Sequence, residues 1–247
     1  MREYATKGCP TATGAPWTRS QMQEAIEQGP HESALDPLAM EQLEREVEDK
    51  VKKNQCRVVL WDDIKENPPE QLKVSPIAMI PHKSRMFRAI LDLSFAVKLK
   101  SGERLSSVNE SSEKQASRGA IDQLGHSLQR IIHAFAQAGE DEKVFMAKWD
   151  IKDGFWRLDC QEGEEWNFAY VLPQRPGKPT KLVIPTSLQM GWIESAPFLC
   201  AALETGRDVA EQYVKTRVGS LPDHKFVGHS TKGVDFEGLE KGKECRG

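Results

Sequence analysis

The stretch that most constrains what this chain can fold into is residues 145–158, FMAKWDIKDGFWRL. An apolar run (Phe145, Met146, Ala147, Trp149) delivers a carboxylate, Asp150, and the chain then has to turn. Asp153 and Gly154 supply the turn chemistry, and Phe155, Trp156 and Leu158 restart an apolar segment. The pattern predicts a strand, a tight turn and a second strand, with an aspartate at the end of the first. Two readings follow. The carboxylate caps the turn, as acidic residues at strand ends commonly do, or it holds a metal ion over a nucleotide with an aromatic beside it.

Composition narrows the field around that stretch. The 247 residues suffice for one large domain or two small ones. Charged residues at 29% and hydrophobic residues at 38% exclude a fibrous or disordered class. No apolar run approaches the ~20 residues of a membrane helix, and the start, MREYATKGCP, has no apolar core of a secretory signal. Cys9, Cys56, Cys160, Cys200 and Cys245 are scattered, with no Cys-x-x-Cys pair, which disfavours a disulfide framework or structural zinc. The expectation is an intracellular protein of cytoplasm or nucleus, neither secreted nor membrane-bound. The net charge of −3 weighs against a nucleic-acid binder, yet it conceals an asymmetry. Residues 20–72 carry 13 acidic and 6 basic side chains, whereas residues 73–104 carry 7 basic and 2 acidic. A local positive patch is what a phosphate-facing surface needs.

Five regions follow along the chain. Residues 1–32, rich in Gly, Pro, Thr and Gln, read as a loose arm. Residues 33–73 form an acidic helical lead-in. A helix starts near Asp36 with Pro37 at its first position and carries Leu43, Val47 and Val51 on one face, and a short strand follows at 57–61. Asp62 and Asp63 read as an exposed acidic turn. In residues 74–144, VSPIAMIP is a β-compatible run, and His82, Lys83, Arg85 and Arg88 then lead into a strand at 89–93. Residues 101–118 read as a polar loop. One amphipathic helix is predicted over 120–138, carrying Leu124, Leu128, Ile131, Ile132 and Phe135 and ending at Gly139. Residues 145–216 hold the Asp150 stretch, a strand at 166–173, a short strand at 181–185, and a helix capped by Ser195 that runs to about Thr216. That helix should bury Phe198, Ala201, Ala202, Val209 and Tyr213. Residues 217–247 read as an irregular tail.

Three blocks in order, SRMFRAILDLSF, KWDIKDGFWRL and LQMGWIESAPFLCAA, resemble the reverse transcriptase domain of retrotransposons of the long-terminal-repeat kind. The resemblance covers about residues 74–207. It implies an α+β fold, a right-hand polymerase with fingers over 74–144 and a partial palm over 145–216, its antiparallel sheet carrying helices on one face. It also implies a role for each matching residue. Asp150 stands for the first catalytic aspartate, which binds both Mg2+ ions, and Ile151 for the position whose carbonyl helps hold a metal. Asp153 and Gly154 stand where backbone N–H groups meet the incoming triphosphate, and Phe155 stands for the aromatic gate under the sugar. Arg88 and Lys83 stand for fingers cations on the β- and γ-phosphates. Met190, Gly191 and Trp192 stand for the loop that frames nucleotide, template and primer.

The chain also departs from that pattern. Glutamine is usual where Met190 stands, and proline where Ala196 stands. The family takes its other palm carboxylates from a later Asp-Asp hairpin, whereas Asp208, Asp223 and Asp235 occur singly after Trp192. Two metals need several carboxylates to hold them over the attacking and leaving oxygens. The expectation is therefore a fingers and partial-palm fragment without the later hairpin or thumb. It binds RNA or DNA template-primer and deoxynucleoside triphosphates, but is inactive by itself. Such a palm would leave an unpaired sheet edge and self-associate through it. The alternatives are a non-catalytic nucleic-acid-binding remnant, or an unrelated metal-dependent hydrolase in which Glu164 and Glu165 would have to converge on Asp150.

Overall fold

The computed structural model describes residues 2–141, 150–175 and 177–216. The expected strand at 145–149 and the 217–247 tail lie outside these residues, and with that strand lies the expected free sheet edge. The described chain is a mixed α+β structure with two small antiparallel sheets. It divides into two compact units. One comprises residues 1–125 and 151–205, the other residues 126–150 and 206–247.

In the first unit, residues 1–32 are more ordered than their composition suggests. They carry helices α1 (Arg2–Lys7) and α2 (Arg19–Gln28), the latter started by a reciprocal capping box between Thr18 and Gln21. Met22, Ala25 and Ile26, at i, i+3, i+4, are buried. The segment between the two helices is pinned. Cys9 N–H donates to the Asp159 carbonyl at 2.7 Å, and the Cys9 carbonyl accepts from Gln161 N–H at 2.8 Å. Glu164 accepts from Thr11 N–H, and Asn167 bonds Thr11 and Thr13.

Helix α3 (Pro37–Lys52) begins as its sequence dictates, with the Asp36 carboxylate accepting from Leu38 and Ala39 N–H groups and Pro37 in the first turn. It buries Ala39, Leu43 and Val47, whereas Val51 faces outward. Strand β1 (Cys56–Leu60) leads into the one-turn helix α4 (Trp61–Ile64), where Asp62 and Asp63 are exposed and Asp62 pairs with Lys65. Strands β2 (Ile77–His82) and β3 (Arg85–Leu91) form a hairpin with an irregularity at Pro81/His82.

Short α5 (Val108–Ser111) is again boxed, by Ser107 and Glu110. The single helix expected over 120–138 is two. Helix α6 (Arg118–Gly125) ends before His126, whose φ of −100° and ψ of 8° break the ladder ahead of α7 (Ser127–Gln137). Glycine at 125 lowers the cost of that break. α7 belongs to the second unit, and its Leu128, Ile131, Ile132 and Phe135 are exposed.

The expected strand at 166–173 is mostly a 3-10 turn, Glu165–Phe168, followed by the two-residue β4 (Tyr170–Val171). β5 (Lys181–Pro185) lies between β1 and β4, antiparallel to both. Its unbroken apolar run is the mark of a strand covered on both faces. Val183 packs into a core with Leu43, Met79, Phe168, Tyr170, Trp192 and Phe198, whereas Leu182 and Ile184 pack into a second with Met22, Trp61, Leu72 and Val97. α8 (Ser195–Thr216) buries Phe198 and Ala201 as expected. Val209 is 63% exposed, against expectation, and Ala202 and Tyr213 are half-buried. No helix among the described residues is long and apolar enough to cross a membrane.

Candidate functional site

Within the first unit, α3, the β2–β3 hairpin, the turn at 153–156 and the loop at 189–191 enclose a cavity of about 590 Å3. α3 is fixed to the hairpin by Gln42, whose carboxamide donates to the Phe87 carbonyl at 2.8 Å and accepts from Phe87 N–H at 3.1 Å. That bidentate grip mimics a strand neighbour and holds Leu43, Val47 and Lys50 along the cavity.

Arg88 lies opposite Ile80 in the hairpin register, and its guanidinium sits 2.7 Å from the Met190 sulfur. Gly191, with φ +94°, turns the loop back through a region open to glycine at little cost. Its carbonyl accepts from Asn109 Nδ2 at 2.9 Å, and Asn109 Oδ1 accepts from Ile193 N–H at 3.1 Å. Glu194 anchors the far end of the loop. It is 2% exposed, pairs with Arg118 at 2.6 Å and accepts the N–H groups of Gln115 and Ala116.

The Asp153–Gly154 turn forms, with an unexpected division of labour. The left-handed residue is Asp153, at φ +56°, while Gly154 stays right-handed. A Cβ at 154 would come within 3.3 Å of a Leu199 methyl, which would have to give way by a few tenths of an ångström. The segment that follows is a 3-10 turn, Phe155–Arg157, and not the second strand of a hairpin. That turn carries Trp156 to the cavity, where the Lys50 ammonium lies 3.1 Å from the indole centroid. Burial pushes Lys50 down to about 8, against the pull of Asp153 and Glu46.

The cavity thus gathers Arg88, Asp153, Met190 and Gly191, four residues the sequence singled out from three separate blocks. The others fall elsewhere. Lys83 is exposed in the β2–β3 turn, Gly154 packs on Leu199, and Phe155 packs half-buried against the core. Ile151 is exposed. Trp192 is 3% exposed, stacks on Phe198 and donates from its indole to Ser112 Oγ at 2.7 Å, so it is a core residue and not a surface for template. Asp150 belongs to the second unit, with its side chain exposed. Among the described residues no group of three or more His, Cys, Asp and Glu side chains converges as metal ligands. The described residues do not make a two-metal site. Glu164 and Glu165 are also committed elsewhere, to Thr11 N–H and Arg57.

Sequence reasoning missed Lys50, Trp156, Tyr170 and Gln189 as cavity residues. Lys50 had left a signal. It lies at i+3 from Val47 and i+7 from Leu43, a cation on an apolar face. No protein-family model matches the chain, and no curated protein matches it. The arrangement can bind an anion between Arg88 and Lys50 and accept a planar ring on Trp156.

Proposed function

We propose that this chain carries the fingers and part of the palm of a reverse transcriptase domain, and that its cavity binds the incoming deoxynucleoside triphosphate. One observation carries the reading. Arg88, Asp153 and the Met190–Gly191 pair, from three separate blocks and matched to nucleotide or template contacts, line one cavity. In such a site Arg88 grips phosphate oxygens in bidentate fashion. The activity of the family is addition of a deoxynucleotide to a primer 3′-hydroxyl, with magnesium bridging the reacting oxygens. Among the described residues no set of carboxylates gathers to hold two magnesium ions, so on this reading the chain by itself binds without extending.

The test is primer extension on an RNA template with magnesium and deoxynucleotides, comparing wild type with Asp150→Ala, alongside template binding at rising salt. The expected result is no extension by either protein, with template affinity falling steeply as salt rises. Extension by wild type, abolished in Asp150→Ala, would show that other carboxylates complete the site and would overturn the inactivity claim. Absence of both nucleotide and template binding would overturn the assignment.

A further inference from the structure

Two side chains outside the motif blocks, Tyr170 and Lys50, line this cavity without a hydrogen bond to any described residue. The Tyr170 side chain lines the cavity, is 6% exposed, and its hydroxyl makes no hydrogen bond among the described residues. The hydroxyl oxygen is not sealed in the interior but opens onto the cavity, where a ligand can meet it. Nearby, the Gln189 carboxamide donates to the Ser187 carbonyl at 2.7 Å, while its own oxygen accepts nothing among the described residues. The Lys50 ammonium makes no ion pair or hydrogen bond there either. It rests on the face of Trp156. An ammonium on an indole face is held by a fraction of what a phosphate oxygen offers it.

We propose that Lys50 and Tyr170 bind the ligand of this cavity directly. Lys50 is a second cation, with Arg88, for the phosphates of a nucleoside triphosphate, and the Tyr170 hydroxyl bonds the uncharged sugar–base part. This rests on the nucleotide reading of the same cavity. When phosphate enters, the Lys50 ammonium leaves Trp156 for the anion and frees the indole face for the base to stack upon. Burial lowers the proton affinity of Lys50, and a bound anion restores it.

The test is titration calorimetry on the full chain with two probes, dTTP and inorganic tripolyphosphate. Lys50→Met keeps the length and packing of the stem and removes the charge. It should weaken both probes by about tenfold or more, and Lys50→Arg should restore most of the loss. Tyr170→Phe should weaken dTTP by roughly three- to tenfold and leave tripolyphosphate unchanged, with a melting temperature equal to wild type or higher. If dTTP binding depends on Arg88 but is unchanged in Lys50→Met and Tyr170→Phe, the inference is overturned while the nucleotide reading stands. If tripolyphosphate binds in a Lys50-dependent way and dTTP binds no more tightly, Lys50 stands as an anion-binding residue and the nucleotide reading fails. If wild type binds neither probe, both are overturned.

Discussion

Lys73 carries an ammonium into the interior of the first unit with no carboxylate to meet it among the described residues. It is 2% exposed and donates to the Thr13 carbonyl and, at 3.4 Å, to Ser111 Oγ. Burial depresses its proton affinity from the ordinary 10.5 to about 8. A group with a lowered folded value contributes its full stability above the unfolded value and loses it as pH falls through the folded one. Wild type should therefore gain on Lys73→Met between pH 8 and pH 10, by on the order of 1–3 kcal/mol, in denaturant melts across that range. A flat difference would mean the amine is not desolvated. Gly191→Ala places a Cβ on a residue at φ +94° and should cost about 1 kcal/mol by the same melts. At this scale the sequence was legible where chemistry announced itself, as with Asp36, Arg88 and the Asp153–Gly154 turn. It was silent on Tyr170 and set Trp192 at the template, because an aromatic reads the same whether it lines a cavity or fills a core.

The elements divide along a similar line. α3, the β2–β3 hairpin, β5 and the start of α8 were readable from caps and apolar runs, since local rules and tertiary packing agree there. The second arm of the Asp150 hairpin was not, because a single 3-10 turn and an apolar strand share the pattern Phe155, Trp156, Leu158. Nor was the order of residues 1–32, where Asn167 ties down the Thr13 hydroxyl and the Thr11 carbonyl. Asn167 is fully buried, donates to the Thr11 and Glu164 carbonyls and accepts from Thr13. Asn167→Ala strands these partners and should destabilise the fold by about 2–4 kcal/mol. Limited proteolysis should then cut ahead of α2, between residues 10 and 18, at conditions where wild type resists. Asn109→Ala breaks the clamp on Gly191 and Ile193. It should cost about 1–3 kcal/mol and loosen nucleotide binding through Met190, with both effects measurable on one preparation by melting and by dTTP titration.

For the whole molecule, three sequence blocks lead into one cavity of the first unit, and the order of those blocks first raised the polymerase reading. The acidic helix α3 was expected only as a lead-in. It supplies one wall of that cavity and a cation to it, which makes residues 37–52 part of the site. The cavity residues, from Leu43 to Gly191, all belong to the first unit and Asp150 to the second, so on the proposed reading binding and catalysis would fall to different units. Asp150→Ala should accordingly leave dTTP affinity within about twofold of wild type, whereas Arg88→Met lowers it by about tenfold or more. The most direct measurement is photocrosslinking of 4-thio-dUTP to the full chain, with the labelled peptides mapped by mass spectrometry. Labelling of peptides spanning 150–157 and 188–192, suppressed by excess dTTP, is the predicted result. Labelling confined to other segments, or indifferent to dTTP, would contradict the claim that this cavity is a nucleotide site.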